Sequence, residues 1–324
     1  MNAKFKYVAP KWLPGGNAQT IYPYFLRPST QVALQRERWE LKDGDFVDVD
    51  WLDGPLDKPL VVMFHGLEGS SRSHYSLSIL NYLREQNWRG AIIHFRGCSG
   101  EPNRLPRAYH AGDSIEIDWM LQRIAHQCEL QKSGLPLYVI GISLGGNALL
   151  KWLGEQGSQA SRLVTAAAAV SAPLDLTAAG KALELGFNQV YTRHFLSSLK
   201  RKALEKHKRF PGLLDGQAIA ATSSLYEFDT HVTAPLHGFR NTEEYWSKSS
   251  SKPWLQHIQV PAFVINAQND PFMPAHALPT RGKVSSMVLL EFPEQGGHVG
   301  FMHGTFPGQH SWLPQRLISF FESV

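Results

Sequence analysis

Residues 141–147 read GISLGGN, set between the apolar run LYVI (137–140) and ALLKWLGEQG (148–157). A serine with glycines two positions before and two positions after, at the end of a strand and the start of a helix, has the composition that a nucleophile requires. The tight turn lifts the Ser143 hydroxyl clear of the backbone, and the glycines leave room for the crowding this causes. The first helical amide, that of Leu144, then points to where negative charge develops on an attacked carbonyl oxygen. A turn that merely needs small residues has the same look, so the rest of the chain has to decide.

An active serine requires a base, and the base requires an acid to orient it. When the nucleophile sits on such a turn, the acid and then the histidine follow it in the chain. His298 lies in the glycine-rich stretch EQGGHVGF (294–301), after the last apolar strand; His303 and His310 lie beyond it in less constrained sequence. Asp270 sits in NAQNDPFMP (266–274), directly after an apolar strand and stiffened by Pro271, a good place for a carboxylate that must stay fixed. Asp175 in SAPLDL is a rival acid, and Asp270 is preferred for its short, proline-fixed loop. A second amide for the oxyanion is expected from HGLEGSSRS (65–73), with Leu67 as donor.

Other reactive side chains are read more plainly. His65 opens its loop and is expected to order it by hydrogen bonds. Arg96 in FRGCSG is expected to tie neighbouring loops together, with substrate contact as the other option. Cys98 has no adjacent base and reads as a spectator thiol. The chain has 14 histidines but no H-E-x-x-H or C-x-x-C spacing, so neither a metal nor a cofactor is expected.

These residues need a scaffold that holds them at one edge. VALQRERWELKDGDFVDVDWL (32–52) alternates around Asp43-Gly44, a hairpin signal. Apolar runs at 59–66, 90–95, 137–142 and 163–170 alternate with helical patterns at 73–87, 113–128 and 145–156. Such alternation implies a mostly parallel sheet with helices on both faces. It stops after Pro173, resumes with strands at 262–267 and 286–292, and ends on a helix near 312–323. Residues 174–258 read as an insertion forming a helical cap within one α/β domain over 1–324. In it, RHFLSSLKRKALEKHKRF (193–210) is strongly basic. The solvated face of a cap helix, with Phe195, Leu196, Leu199 and Leu204 turned inward, is preferred there to attraction toward anionic lipid. Trp12, Tyr22, Tyr24 and Phe25 either line an acyl pocket or pack an N-terminal segment on the domain.

The 324 residues are 43% apolar and 19% charged, with a net charge of +4, ordinary values for a well-cored protein and no sign of a nucleic-acid partner. Two cysteines fit a reducing compartment. The opening MNAKFKYVAPKWLPGG has no secretory core, and the longest apolar stretch is too short to span a bilayer. A cytoplasmic protein acting on a small molecule is expected, with at most weak contact with a membrane surface.

The series HGLEGS, FRGCSG, GISLGGN, NAQNDPF and GGHVGF resembles the α/β-hydrolase superfamily, and more narrowly α/β-hydrolase family 4, which contains esterases. GGNAQTIYPY (15–24) and FDTHVTAPLHGF (228–239), followed by EEYWSKSSS (243–251), resemble that family's opening and cap segments. The resemblance covers nearly the whole chain. It implies an α/β-hydrolase fold, a triad of Ser143, Asp270 and His298, and hydrolysis of esters of short acyl chains or lipid-like groups, with thioesterase or lipase action by the same triad as variants. A scaffold that binds without catalysis is the reading from another class.

Overall fold

The computed structural model describes residues 6–28, 32–128 and 134–324. Eight strands form one sheet: β1 (Gln35–Glu40), β2 (Phe46–Leu52), β3 (Leu60–Phe64), β4 (Arg89–Ile93), β5 (Leu137–Ile142), β6 (Ala166–Val170), β7 (Ala262–Ile265) and β8 (Val288–Glu291). Their spatial order is β1-β2-β4-β3-β5-β6-β7-β8. The hairpin β1–β2 turns at Asp43-Gly44 and joins β4 antiparallel; every other pairing is parallel.

The central strands are apolar throughout because both faces are covered. Alternate side chains go to opposite layers: Val62, Phe64 and Val139 to one core, Val61, Met63, Ile140 and Ile142 to the other. The first core is closed by α3 (Ser114–Gln127), through Ile117, Met120, Leu121 and Ile124, and by α4 (Leu144–Gln156), through Leu149, Leu150 and Leu153. The second is closed by α2 (His74–Glu85), through Ile79, Leu80 and Leu83, and by the last helix, α11 (Trp312–Phe321), through Leu313, Leu317 and Phe321. The expected alternation is therefore the observed one, with strand and helix ends displaced by a few residues.

One N-terminal helix was not anticipated: α1 (Gly16–Phe25), which carries Pro23 inside it. Between β6 and β7 lie α5 (Leu176–Leu183), α6 (Gln189–Arg209), α7 (Gly216–Ala221), α8 (Leu225–Phe228), α9 (Ala234–Leu236) and α10 (Thr242–Ser249). A π turn over Asp229–Thr233 joins α8 to α9. These helices share a small core of their own around Leu196, Leu214, Ile219 and Phe228. Among the described residues no helix is long and apolar enough to cross a membrane.

Candidate active site

Ser143 stands between β5 and α4 with φ 50° and ψ −118°, a left-handed backbone that a serine adopts only under constraint. The constraint is visible at its flanking glycines. A Cβ on Gly141 would lie 2.6 Å from the Gly145 carbonyl oxygen, and one on Gly145 would lie 2.5 Å from the Phe64 carbonyl oxygen. The turn fits against the end of β3 only because neither residue has a side chain.

His298 Nε2 lies 2.9 Å from Ser143 Oγ, and His298 Nδ1 lies 2.9 Å from Asp270 Oδ2. The other Asp270 oxygen accepts the Phe272 amide at 2.8 Å, and the carboxylate is fully buried. A carboxylate on Nδ1 fixes the tautomer that leaves Nε2 free to accept the serine proton. Phe272 stacks on the imidazole, ring centres 4.0 Å apart. Asp175 takes no part: it caps α5 through the Ala178 amide and pairs with Lys252.

The His298 loop is fixed from the far end of the chain. Thr20 Oγ1 accepts the His298 amide at 2.9 Å, and Gln19 Oε1 accepts both the Gly296 amide and Asn269 Nδ2 at 2.9 Å. Asn269 Oδ1 accepts the Gly297 amide, and Ser171 Oγ accepts that of Val299. The surfaces are too close for side chains: a Cβ on Gly300 would fall 2.0 Å from the Gln19 carbonyl, and one on Gly16 2.0 Å from that of Asn269. Sequence reading missed Gln19, Thr20, Asn269 and Ser171 as supports. Each lies in a stretch singled out for other reasons, Gln19 and Thr20 in GGNAQT, Asn269 in NAQNDPFMP and Ser171 in SAPLDL, and none of these stretches shows which loop it meets.

Leu67 and Leu144 line the same cavity as Ser143 and His298. Among the described residues the Leu67 amide has no acceptor, and Leu144 opens its helix, where an amide has no intrahelical partner. The neighbouring Gly66 and Glu68 amides, in contrast, are taken by the Tyr75 and Tyr109 hydroxyls. His65 is buried, with Nδ1 donating to the Gly66 carbonyl and Nε2 accepting the Phe95 amide. Burial pushes its pKa down to about 3, so it is a neutral brace for the loop, as expected. Arg96 likewise braces, meeting Glu116, Asp45 and Asp43 at 2.6–2.9 Å. Burial pushes the Cys98 thiol up to about 12, so it stays protonated and poorly nucleophilic.

The cavity measures about 530 Å³. One wall is apolar: Leu144, Leu176, Ala179, Leu183, Phe228 and Trp246. Gly180 makes room for the Trp246 ring, and Trp246 Nε1 donates to Asp229, whose carboxyl is raised by burial to about 6. The other wall is polar and joins α6 to the body: Lys202 donates to Glu68 at 2.8 Å, and buried Lys206 donates to Asn103 Oδ1 at 2.6 Å and to the Leu105 carbonyl. The basic segment is thus only partly the solvated face that was expected. Leu196 is buried, and Leu199 and Leu204 pack beside it as expected, but two lysines turn inward. Asn147 fastens the end of the insertion to α4 through the Ser249 carbonyl and the Ser251 amide. Trp12, Tyr22, Tyr24 and Phe25 are not among the residues lining the cavity. Trp12 and Tyr22 pack on each other and reach Gly304 and Pro307, so the packing alternative holds for them, while Tyr24 and Phe25 face solvent.

A strained serine at a strand-to-helix turn, a mostly parallel eight-stranded sheet and a family model described as alpha/beta hydrolase fold, matching residues 59–305, agree: the chain belongs to the α/β-hydrolase superfamily. Its relatives include an Escherichia coli protein named "Putative esterase YheT", 37% identical over 304 residues that cover 92% of this chain and 88% of that one. Another is the human "Phospholipase ABHD3", 26% identical over 98% of this chain and 79% of the relative. Among solved structures, the Pyrococcus furiosus esterase Pf2001 superposes with a TM-score of 0.57 at 13% identity, covering 92% of this chain and 97% of that one, a likeness of fold.

Proposed function

We propose that the protein is a serine hydrolase that cleaves carboxylic esters through an acyl-enzyme. Ser143 Oγ attacks the ester carbonyl as His298 Nε2 takes its proton; Asp270 holds the imidazole and stabilises the imidazolium. The amides of Leu67 and Leu144 receive the oxyanion. His298 returns the proton to the leaving alcohol, and water repeats the cycle on the acyl group. No step requires a cofactor. Residues 174–258 act as a cap, and their apolar wall takes the acyl chain. The phospholipase and esterase names of the relatives agree with an ester of lipid-like or short acyl character. The two unpaired cysteines suit a cytoplasmic setting.

The observation that carries this reading is the unbroken chain Asp270–His298–Ser143, with both links at 2.9 Å and the serine open to the cavity. Labelling with a fluorophosphonate tests it. The wild type is expected to react covalently at Ser143, and Ser143→Ala and His298→Ala to remain unlabelled. A folded wild type that does not label refutes the reading in favour of a binding scaffold.

A further inference from the structure

Beside the cavity mouth, the ends of α1 and α6 form an exposed surface of mixed aromatic and cationic character. Phe25 is 75% exposed, Phe187 52% and Val190 47%. They belong to one surface. Tyr24 meets Phe25 edge-on at 5.4 Å and the His194 ring at 5.8 Å, Phe187 meets Tyr191 at 6.0 Å, and the Tyr191 hydroxyl donates to Asn17 of α1. Aromatic side chains of this size are costly to leave in water without a purpose.

The charges around them are mainly of one sign. Along α6, Val190, Arg193, Ser197 and Arg201 recur at helical spacing and are all exposed. Neither arginine has an acidic partner among the described residues. Arg27 is exposed too and lies over the Tyr24 ring at 5.6 Å. Of the acids, Glu184 precedes α6 and Glu205 follows Arg201 by four residues, while Glu68 and Glu101, which line the same cavity as Arg201, are paired with Lys202 and Arg38. The patch also continues into the site, because His194, Ser197, Ser198 and Arg201 line the cavity.

We propose that this face docks on an anionic lipid bilayer, with Tyr24, Phe25, Phe187 and Val190 entering the headgroup region and Arg27, Arg193 and Arg201 meeting the lipid phosphates. Aromatic rings settle at the interface, and arginines near an anionic surface gain from its potential. A bilayer fits the patch better than a protein partner because the apolar groups sit at the tips of two helix ends, and the depression beside them carries Arg193, Lys200, Arg201 and Lys208 against one acid, Glu205. The mouth of the cavity then opens toward the membrane. Docking needs no catalysis, so it stands or falls apart from the hydrolase reading.

The test uses the full chain carrying Ser143→Ala, so that no lipid is consumed, and sedimentation with vesicles of phosphatidylcholine alone or mixed with phosphatidylglycerol. Binding is expected only to the mixed vesicles and is expected to weaken as salt rises. Phe25→Ser combined with Phe187→Ser, and Arg193→Glu combined with Arg201→Glu, are each expected to lower the partition coefficient by about tenfold or more. Both pairs lie at exposed positions, so unchanged thermal melting serves as the folding control. Absence of binding to mixed vesicles, or binding that both double variants retain, overturns the proposal. So does a shift from dimer to monomer in the aromatic variant on size exclusion, which would assign the patch to a second copy of the chain.

Discussion

The floor and the roof of the cavity are held in different ways. Six described residues other than glycine have φ in the left-handed region: Glu68, Asn87, Ser143, Ser171, Val299 and Phe301. All but Asn87 lie on the floor, in the loops after β3, β5 and β6 and beside His298. Each such residue costs about 1–2 kcal/mol, and persists because its surroundings permit nothing else. None lies between residues 174 and 258. There the roof is helical, and side chains such as Lys202 on Glu68 and Lys206 on Asn103 join it to the body. Backbone strain defines where the chemistry would occur, while adjustable polar contacts define what reaches it.

The difference can be attacked from either side. The largest effect is expected from Gly145→Ala, whose Cβ would meet the Phe64 and His65 carbonyl oxygens at 2.5 and 2.6 Å. Neither backbone can retreat, so a loss of about 3 kcal/mol in urea unfolding is expected, together with loss of esterase activity. A loss below about 1 kcal/mol would mean that the floor is softer than its geometry states.

Next comes a pair of variants read by kinetics. Gln19→Ala frees the Gly296 amide and Asn269 and is expected to lower kcat for a p-nitrophenyl ester by about 10- to 100-fold with little change in KM, since it misplaces His298. Gln19→Glu keeps the accepting oxygen but sets a second one against the Leu13 carbonyl and Gln295 Oε1, to which Gln19 Nε2 donates, and is expected to recover none of that loss. Lys202→Ala in the roof should do the reverse. It moves KM or the preferred chain length a few-fold, leaves kcat nearly unchanged, and costs no more than about 1 kcal/mol, as its ion pair is partly exposed. Equal effects of the two variants on kcat would abolish the distinction.

The smallest effect concerns Asp229. Burial raises its carboxyl from 3.8 to about 6, so the unfolded chain loses this proton at lower pH than the folded one. Its contribution to stability is therefore full below about pH 4 and is lost as pH rises through 6. Asp229→Asn is expected to flatten the decline in melting temperature between those values relative to wild type.

The same contrast explains what could be read in the sequence. The floor's Ser143 turn is a contiguous word, GISLGG, between an apolar strand and an amphipathic helix, so residue order alone placed it at a strand-to-helix junction. Asp270 and His298 could be read because each follows a strand with a proline or glycine loop. The grip of Gln19 and Thr20 could not, since a hydrogen bond across 277 residues leaves no local period. The roof was legible only as an interruption. Its lysines were assigned to water because a run of cations looks alike whether or not a carboxylate or a carbonyl waits opposite. The same blindness made Trp12 and Tyr22 candidates for an acyl pocket that they do not line.

The clasp between α1 and the His298 loop also sets an order of events on the ribosome. The Ser143 turn and the four strands from β3 to β6 can assemble once about half of the chain has emerged. Gln19 and Thr20 precede every strand of the sheet, whereas the amides they hold at 296–298 follow the last one. The Ser143 turn can thus form before the support of the His298 loop does, which waits for segments 277 residues apart to meet.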